Sequence, residues 1–140
     1  MAHAARVLVW RWWKPRHHGV RVVALDAQGR LLLLRHSYGS PKWMPPGGGM
    51  RRGEDPLDAG VRELQEETGC ALADARLLAV CEEALHGSAN IVSVVRGRAE
   101  GPLRIDRREI VEAGFFPLDA LPEPMPAGFP ERLRAWAAAD

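Results

Sequence analysis

The chain has 140 residues, 46% of them hydrophobic, which is enough for one globular domain to bury a core without disulfides or a structural metal. The 19 Lys and Arg residues nearly balance the 18 Asp and Glu residues, and the formal net charge is +1, so we expect no DNA-binding surface and no attraction to anionic membranes. The two cysteines, Cys70 and Cys81, are too few for a disulfide-stapled secreted scaffold, and we expect buried free thiols and a cytoplasmic protein.

Residues 1–16 are expected to form an extension that packs on this single domain. The apolar run of residues 7–10 is followed at once by basic residues, so it is too short for a signal-peptide core or a membrane span. An interfacial membrane anchor is one alternative for the tryptophan-rich part of the extension, and packing of the indoles over the domain is the favoured one. These tryptophans are Trp10, Trp12 and Trp13.

Two apolar strands are predicted next, at residues 20–25 and 31–34. The linking sequence, residues 26–29, is small and ends in glycine, which is typical of a hairpin turn. Both strands are apolar throughout, and we expect both of their faces to be buried. Residues 40–49 are rich in proline and glycine, so they are predicted to form a loop of defined shape.

A helix is predicted from about Asp55 to Thr68. Asp55 can accept an amide hydrogen bond as the N-cap, Pro56 suits the first helical position, and Gly69 suits the end. At 3.6 residues per turn, four residues form an apolar stripe that should pack on the sheet. They are Leu57, Val61, Leu64 and Thr68.

The remainder of the chain alternates strand-like runs with proline-rich connections. Strands are predicted at residues 76–85 and 91–95, and residues 115–117 resemble a strand end. Residues 121–126 should be an extended connection, because every second residue is proline. Residues 130–138 are predicted to form a terminal helix that starts at a proline.

Three glutamates of the predicted helix, Glu63, Glu66 and Glu67, are spaced i, i+3 and i+4 and should form one patch away from the apolar stripe. Each like-charge pair at this spacing costs about 0.2–0.5 kcal/mol, a repulsion that a bound divalent cation would remove. Ala59 and Gly60, one turn earlier on the same face, would leave room for metal and phosphate. Taken alone, the glutamates are better explained as a solvated helix face, because runs of glutamate on exposed helices are common.

The wider pattern changes this balance. Gly48 is followed after five residues by Glu54, and after seven more by the sequence Arg-Glu-Leu-Gln-Glu-Glu-Thr-Gly-Cys at residues 62–70. This pattern resembles the Nudix box, G-x5-E-x7-R-E-U-x-E-E-x-G-U with U apolar, and matches it at every fixed position. Cys70 stands where a branched aliphatic residue is usual. The resemblance implies an α/β/α sandwich with a central mixed sheet between the box helix and the terminal helix.

The resemblance also implies a Mg²⁺-dependent pyrophosphohydrolase, with Mn²⁺ as a possible substitute. Its substrate would be a small-molecule nucleoside diphosphate linked to another moiety, and the enzyme would be a monomer or a homodimer. The metal ligands would be Glu63, Glu66 and Glu67, with Gly48 approaching the metal or phosphate. Glu63 alternatively orients or deprotonates the attacking water, a role that a glutamate outside the box fills in some relatives.

Further residues complete the candidate site. Glu54 and Arg62 would form a hydrogen-bonded pair that fixes the cluster, or Glu54 would reach a metal itself. Candidate substrate contacts are Arg35, Arg51, Glu109 and Glu112. Tyr38 and Trp43 could stack on a base, with packing beneath the loop as the alternative. A catalytically silent Nudix domain that binds a nucleotide or a protein is the rival interpretation, and the intact set of acids argues against it.

Overall fold

The computed structural model describes residues 17–85 and 88–139, with side chains described for residues 17–83 and 90–139. The expected packing of residues 1–16 lies outside these residues. Among the described residues, no helix is long and apolar enough to cross a membrane. The elements in chain order are β1 (His17–Leu25), β2 (Leu31–His36), β3 (Gly47–Gly49), α1 (Pro56–Thr68), β4 (Ala71–Leu85), β5 (Ser88–Glu100), β6 (Ile110–Phe116) and α2 (Phe129–Ala138).

The six strands form one mixed sheet. Its order is β4-β5-β1-β2-β6, and β3 lies against the first half of β1. β1 and β5 run parallel, whereas the other paired strands are antiparallel. The predicted mixed sheet is therefore confirmed.

Alternating side chains of β1 divide the core into two layers. Val22 packs with Leu64 of α1 on one face of the sheet. Val23 points to the other face and packs with Phe129 and Leu133 of α2. This alternation follows from the two-residue period of a strand and allows both faces of β1 to be buried, as the apolar sequence predicted. The α/β/α sandwich is confirmed, with the box helix and the terminal helix on opposite faces.

The face with which α1 contacts the sheet differs from the predicted one. Leu64 and Thr68 are buried as expected, but Val61 is 38% exposed. Ala59 and Gly60 are buried instead, and a Cβ added to Gly60 would lie 3.3 Å from the side chain of Val95 in β5. Small residues let the helix lie close to the sheet. The expectation that Ala59 and Gly60 leave room for metal and phosphate is therefore wrong.

Several predicted segments are parts of longer elements. Residues 76–85 and 91–95 belong to the long β4–β5 hairpin, whose register shifts between Ala73 and Arg76. The loop at residues 40–49 ends in β3, so its last glycines are paired with β1.

Of the two cysteines, both free, Cys70 is buried and Cys81 is half-buried.

The candidate stacking residues have different environments. Trp43 is 8% exposed and packs edge-on against Phe116, with ring centroids 5.0 Å apart. It therefore contributes to the core on the α2 face, which was the alternative to base stacking. Tyr38 is 64% exposed.

Candidate active site

The ends of α1 fix the positions of its glutamates. Asp55 caps the helix by accepting a 2.8 Å hydrogen bond from the Leu57 amide, and Gly69 ends it with φ of 75°, in the left-handed region that glycine tolerates. Contacts of α1 with β1, β3, β4 and β5 hold the helix against the sheet. The second half of α1 consequently places Glu63 and Glu67 against the glycines of β3.

Glu67 is the most buried of these carboxylates, at 7% exposure. Its Oε1 accepts a 2.8 Å hydrogen bond from the Gly47 amide, and its Oε2 lies 3.1 Å from Nε2 of His36. Burial raises the pKa of Glu67 to about 8, because the loss of hydration outweighs the stabilising hydrogen bond from Gly47. The α1 face that packs on the sheet thus includes Glu67, which the sequence had placed away from that face.

Glu63 lies directly against Gly48. A Cβ added to Gly48 would stand 2.7 Å from Oε1 of Glu63, so only glycine fits at this position without displacing the carboxylate. The same oxygen accepts a 2.9 Å hydrogen bond from Nη1 of Arg62. Burial nevertheless raises the pKa of Glu63, since desolvation exceeds the effect of the neighbouring guanidinium.

Arg62 ties the cluster together. Its Nε and Nη2 donate to the two oxygens of Glu54 at 2.8 and 2.9 Å, and Nη2 also donates to the Gly49 carbonyl at 3.1 Å. Nη1 reaches Glu66 at 3.3 Å in addition to Glu63. The hydrogen bonds from Arg62 hold the pKa of Glu54 down at about 2, with the Arg51 amide as a further donor. Because of this low pKa, Glu54 is ionised at neutral pH, and the two hydrogen bonds from the Arg62 guanidinium hold its carboxylate in place.

Within residues 17–85 and 88–139, no three His, Cys, Asp or Glu side chains stand ready to hold a metal ion. The cluster carboxylates are instead hydrogen-bonded to Arg62, Gly47 or His36. Their chemistry still fits a hard divalent cation. Three carboxylates, those of Glu54, Glu63 and Glu66, share the single positive charge of Arg62, and carboxylate oxygens are the donors that Mg²⁺ prefers. The cluster therefore matches Mg²⁺ in the type of its donor atoms and in its negative charge.

The candidate substrate residues divide into two groups. Arg51 lies beside the cluster, with its guanidinium 3.6 Å from Glu66 and well exposed, and the charge of Glu109 contributes to raising the pKa of Glu67. Arg35 and Glu112 instead pair with each other across β2 and β6, and Arg35 stacks over Trp43 at 5.4 Å. Nothing described in the structure joins Arg35 or Glu112 to the three box glutamates.

Two partners of Glu67 were missed by sequence reasoning. His36 and Gly47 stand 31 and 20 residues away from it in the chain. The pKa of His36 is lowered, chiefly by burial. Its place at the end of β2, next to a register shift, could be found only from the strand pairing.

A pocket of about 400 Å³ adjoins the cluster. The β3 glycines form part of its lining, and the first residues of β1 and the facing residues of the β4–β5 hairpin form the rest. Because the same glycines contact Glu63, Glu67 and Arg62, β3 is a wall shared by the pocket and the carboxylates. A bound molecule could therefore contact both.

An α/β/α sandwich whose sheet-packed helix presents glutamates to a glycine strand defines a Nudix-type fold. Comparison with known families agrees: the NUDIX domain model matches residues 15–137. The chain belongs to the Nudix family.

Curated relatives match it over shorter segments. An RNA pyrophosphohydrolase of Saccharophagus degradans is 41% identical over 63 residues, covering 45% of this chain and 37% of the relative. One from Rhizobium meliloti is 43% identical over 80 residues, covering 51% and 47%. The m7GpppN-mRNA hydrolase NUDT17 of Xenopus laevis is 43% identical over 60 residues, covering 40% and 20%. Each match thus spans less than half of the relative's length.

Solved structures match nearly the whole fold. The MutT Nudix hydrolase of Burkholderia pseudomallei has a TM-score of 0.75 and 27% identity, covering 88% of this chain and 96% of that one. The MutT protein of Methanosarcina mazei Go1 has a TM-score of 0.76 and 25% identity, covering 87% and 93%. These likenesses therefore extend well beyond the box itself.

Proposed function

We propose that this Nudix protein is a pyrophosphohydrolase that cleaves a diphosphate linkage in a nucleotide derivative with the help of Mg²⁺. The observation that carries the proposal is the contact of Glu63 and Glu67 with the β3 glycines that line a pocket, with Glu66 joined to Glu63 through Arg62. Hydrolysis of a diphosphate depends mainly on positioning and on neutralising negative oxygens. In this proposal the carboxylates hold the neutralising cation and the pocket positions the substrate.

The cation would be held by Glu63, Glu66 and Glu67, with Gly48 allowing close approach, and it would neutralise phosphate charge and activate water. Arg62 keeps Glu54 in place through its two-pronged bond, and this pair positions the glutamates of the helix. The Gly47 amide and His36 orient the two oxygens of Glu67. In the alternative arrangement only Glu66 and Glu67 are ligands, and Glu63 takes the proton of the attacking water.

The names of the relatives suggest where to look for the substrate. Several matched relatives are called RNA pyrophosphohydrolases, and one is called an m7GpppN-mRNA hydrolase. Triphosphorylated and capped RNA should therefore be tested beside nucleotide sugars, dinucleoside polyphosphates and nucleoside triphosphates. A net charge of +1 favours the small molecules, because RNA binding generally relies on a basic surface.

The test is a hydrolysis panel with and without Mg²⁺ on the wild type and two variants. Glu66→Gln removes a cluster charge at a half-exposed position, and Glu131→Gln removes an exposed charge on α2 as a matched control. We expect Mg²⁺-dependent turnover of at least one compound, lowered at least ~10²-fold by Glu66→Gln only. Binding of a nucleotide without any turnover would instead support the silent-domain alternative.

A further inference from the structure

A buried ion pair on the α2 face of the sheet has no part in the chemistry described so far. Arg21 of β1 donates to both oxygens of Glu83 of β4, from Nε at 3.1 Å and from Nη2 at 3.0 Å. The two side chains are 18% and 8% exposed. Such pairs are costly to desolvate and are often no more stabilising than apolar residues of similar size. A role in recognition would account for its presence better than stability does.

This ion pair lines the pocket next to β3. The pocket volume of about 400 Å³ falls in the usual range for small-molecule sites. The guanidinium carbon of Arg21 lies 5.5 Å from the centre of the Phe129 ring, a cation–π contact that favours this position of the side chain. Each Glu83 oxygen accepts one hydrogen bond from Arg21 and retains capacity for another.

A second acceptor lies beside Glu83. Asn90 is its direct partner across the β4–β5 hairpin and also lines the pocket. The amide oxygen of Asn90 is buried and has no hydrogen-bond partner among the described residues. Leaving such an oxygen unsatisfied costs about 1–3 kcal/mol, a deficit that an entering N–H donor could relieve if the side chain turned toward it. Glu83 and Asn90 thus place two acceptor-bearing side chains next to each other on this side of the pocket.

We propose that the pocket holds the nucleobase of the substrate and selects bases that carry an exocyclic amine. The inference rests on the proposed function and adds a substrate preference to it. An amine can donate to Glu83 and Asn90, whereas a carbonyl at the same position would face the negative Glu83 carboxylate. The diphosphate attached to a base so placed would lie toward β3, the wall shared with Glu63 and Glu67.

Two pairs of nucleoside monophosphates test this preference, because in each pair an amine is replaced by a carbonyl: CMP against UMP, and AMP against IMP. Binding is measured by NMR titration of the metal-free protein, which makes it independent of hydrolysis. We expect the amine-bearing member of each pair to bind at least ~10-fold tighter, in keeping with a hydrogen bond to a charged acceptor. Equal affinities within both pairs would overturn the proposal.

Variants test whether Arg21 and Glu83 cause the preference for amine-bearing bases. The double substitution Arg21→Gln with Glu83→Gln removes both charges together, so that no unpaired charge stays buried. We expect it to reduce the discrimination within each pair to less than ~2-fold, while Glu131→Gln on α2 retains it. Discrimination that survives in a folded double variant would refute the assignment of this pair. Loss of hydrolysis throughout the panel, with discrimination intact, would refute the proposed function and leave the pocket assignment standing.

Discussion

Replacing Glu67 by glutamine separates the electrostatic role of this residue from its structural one. In the wild type the Gly47 amide donates to Oε1 of Glu67 at 2.8 Å. Glutamine keeps the shape of the side chain and still offers an oxygen to this amide. The charge, and with it the ability to take up a proton near neutral pH, is lost. The variant should therefore fold normally and respond differently to pH.

The sign and size of the effect follow from the pKa. Burial raises the pKa of Glu67 from 4.5 to about 8, so the folded metal-free protein binds more protons than the unfolded chain between these pH values. The stability of the folded state consequently falls as pH rises through this window, and it falls no further above pH 8. The difference between the two pKa values corresponds to a loss of up to about 5 kcal/mol. Glu67→Gln abolishes this loss.

The assay is urea unfolding in the presence of a chelator at pH 5 and pH 9. Comparison of the wild type with Glu67→Gln cancels the contributions of the other titrating groups, and we expect the variant to gain stability relative to the wild type at pH 9 only. Turnover with Mg²⁺ should fall at least ~10²-fold in the same variant, as expected for a positioned catalytic group. Identical pH dependences of stability, or unchanged turnover, would refute this reasoning.

Three further substitutions test the surroundings of the cluster and the fold. Gly48→Ala should lower kcat at least ~10-fold, because its Cβ would fall 2.7 Å from Oε1 of Glu63, whereas Gly114→Ala, with only ordinary contacts at 3.5 Å and beyond, should leave kcat unchanged. In steady-state assays of the panel substrate, Arg62→Lys should lower kcat ~10-fold or more with little change in KM. Lysine cannot reproduce the two-pronged hydrogen bond that Arg62 makes with Glu54. Asp26→Ala should lower the free energy of unfolding by about 1–2 kcal/mol in urea titrations without affecting kcat, because this carboxylate caps the β1–β2 turn through two backbone amides.

The sequence was informative where the functional residues share one short segment. The spacing of Glu63, Glu66 and Glu67 is local, and the helix boundaries at Asp55 and Gly69 follow from capping chemistry, so both could be read without a structure. The apolar runs of β1 and β2 likewise predicted strands buried on both faces.

Other features depended on which elements come into contact. Hydrophobicity alone assigned Val61 to the buried face of α1, but the sheet accepts the small residues Ala59 and Gly60, because they permit a close approach. Residues from distant strands could not be placed by spacing. The contact of His36 with Glu67 and the pairing of Arg21 with Glu83 both depend on the register of the sheet.

Direct titration with Mn²⁺, followed by electron paramagnetic resonance of the free ion, most closely tests the claim that the carboxylates of α1 hold a divalent cation. We expect the wild type and Glu131→Gln to bind Mn²⁺ alike, and Glu66→Gln to bind it at least ~10-fold more weakly, with Mg²⁺ competing at the same site. Equal binding by all three proteins, or no binding by the wild type, would contradict the account.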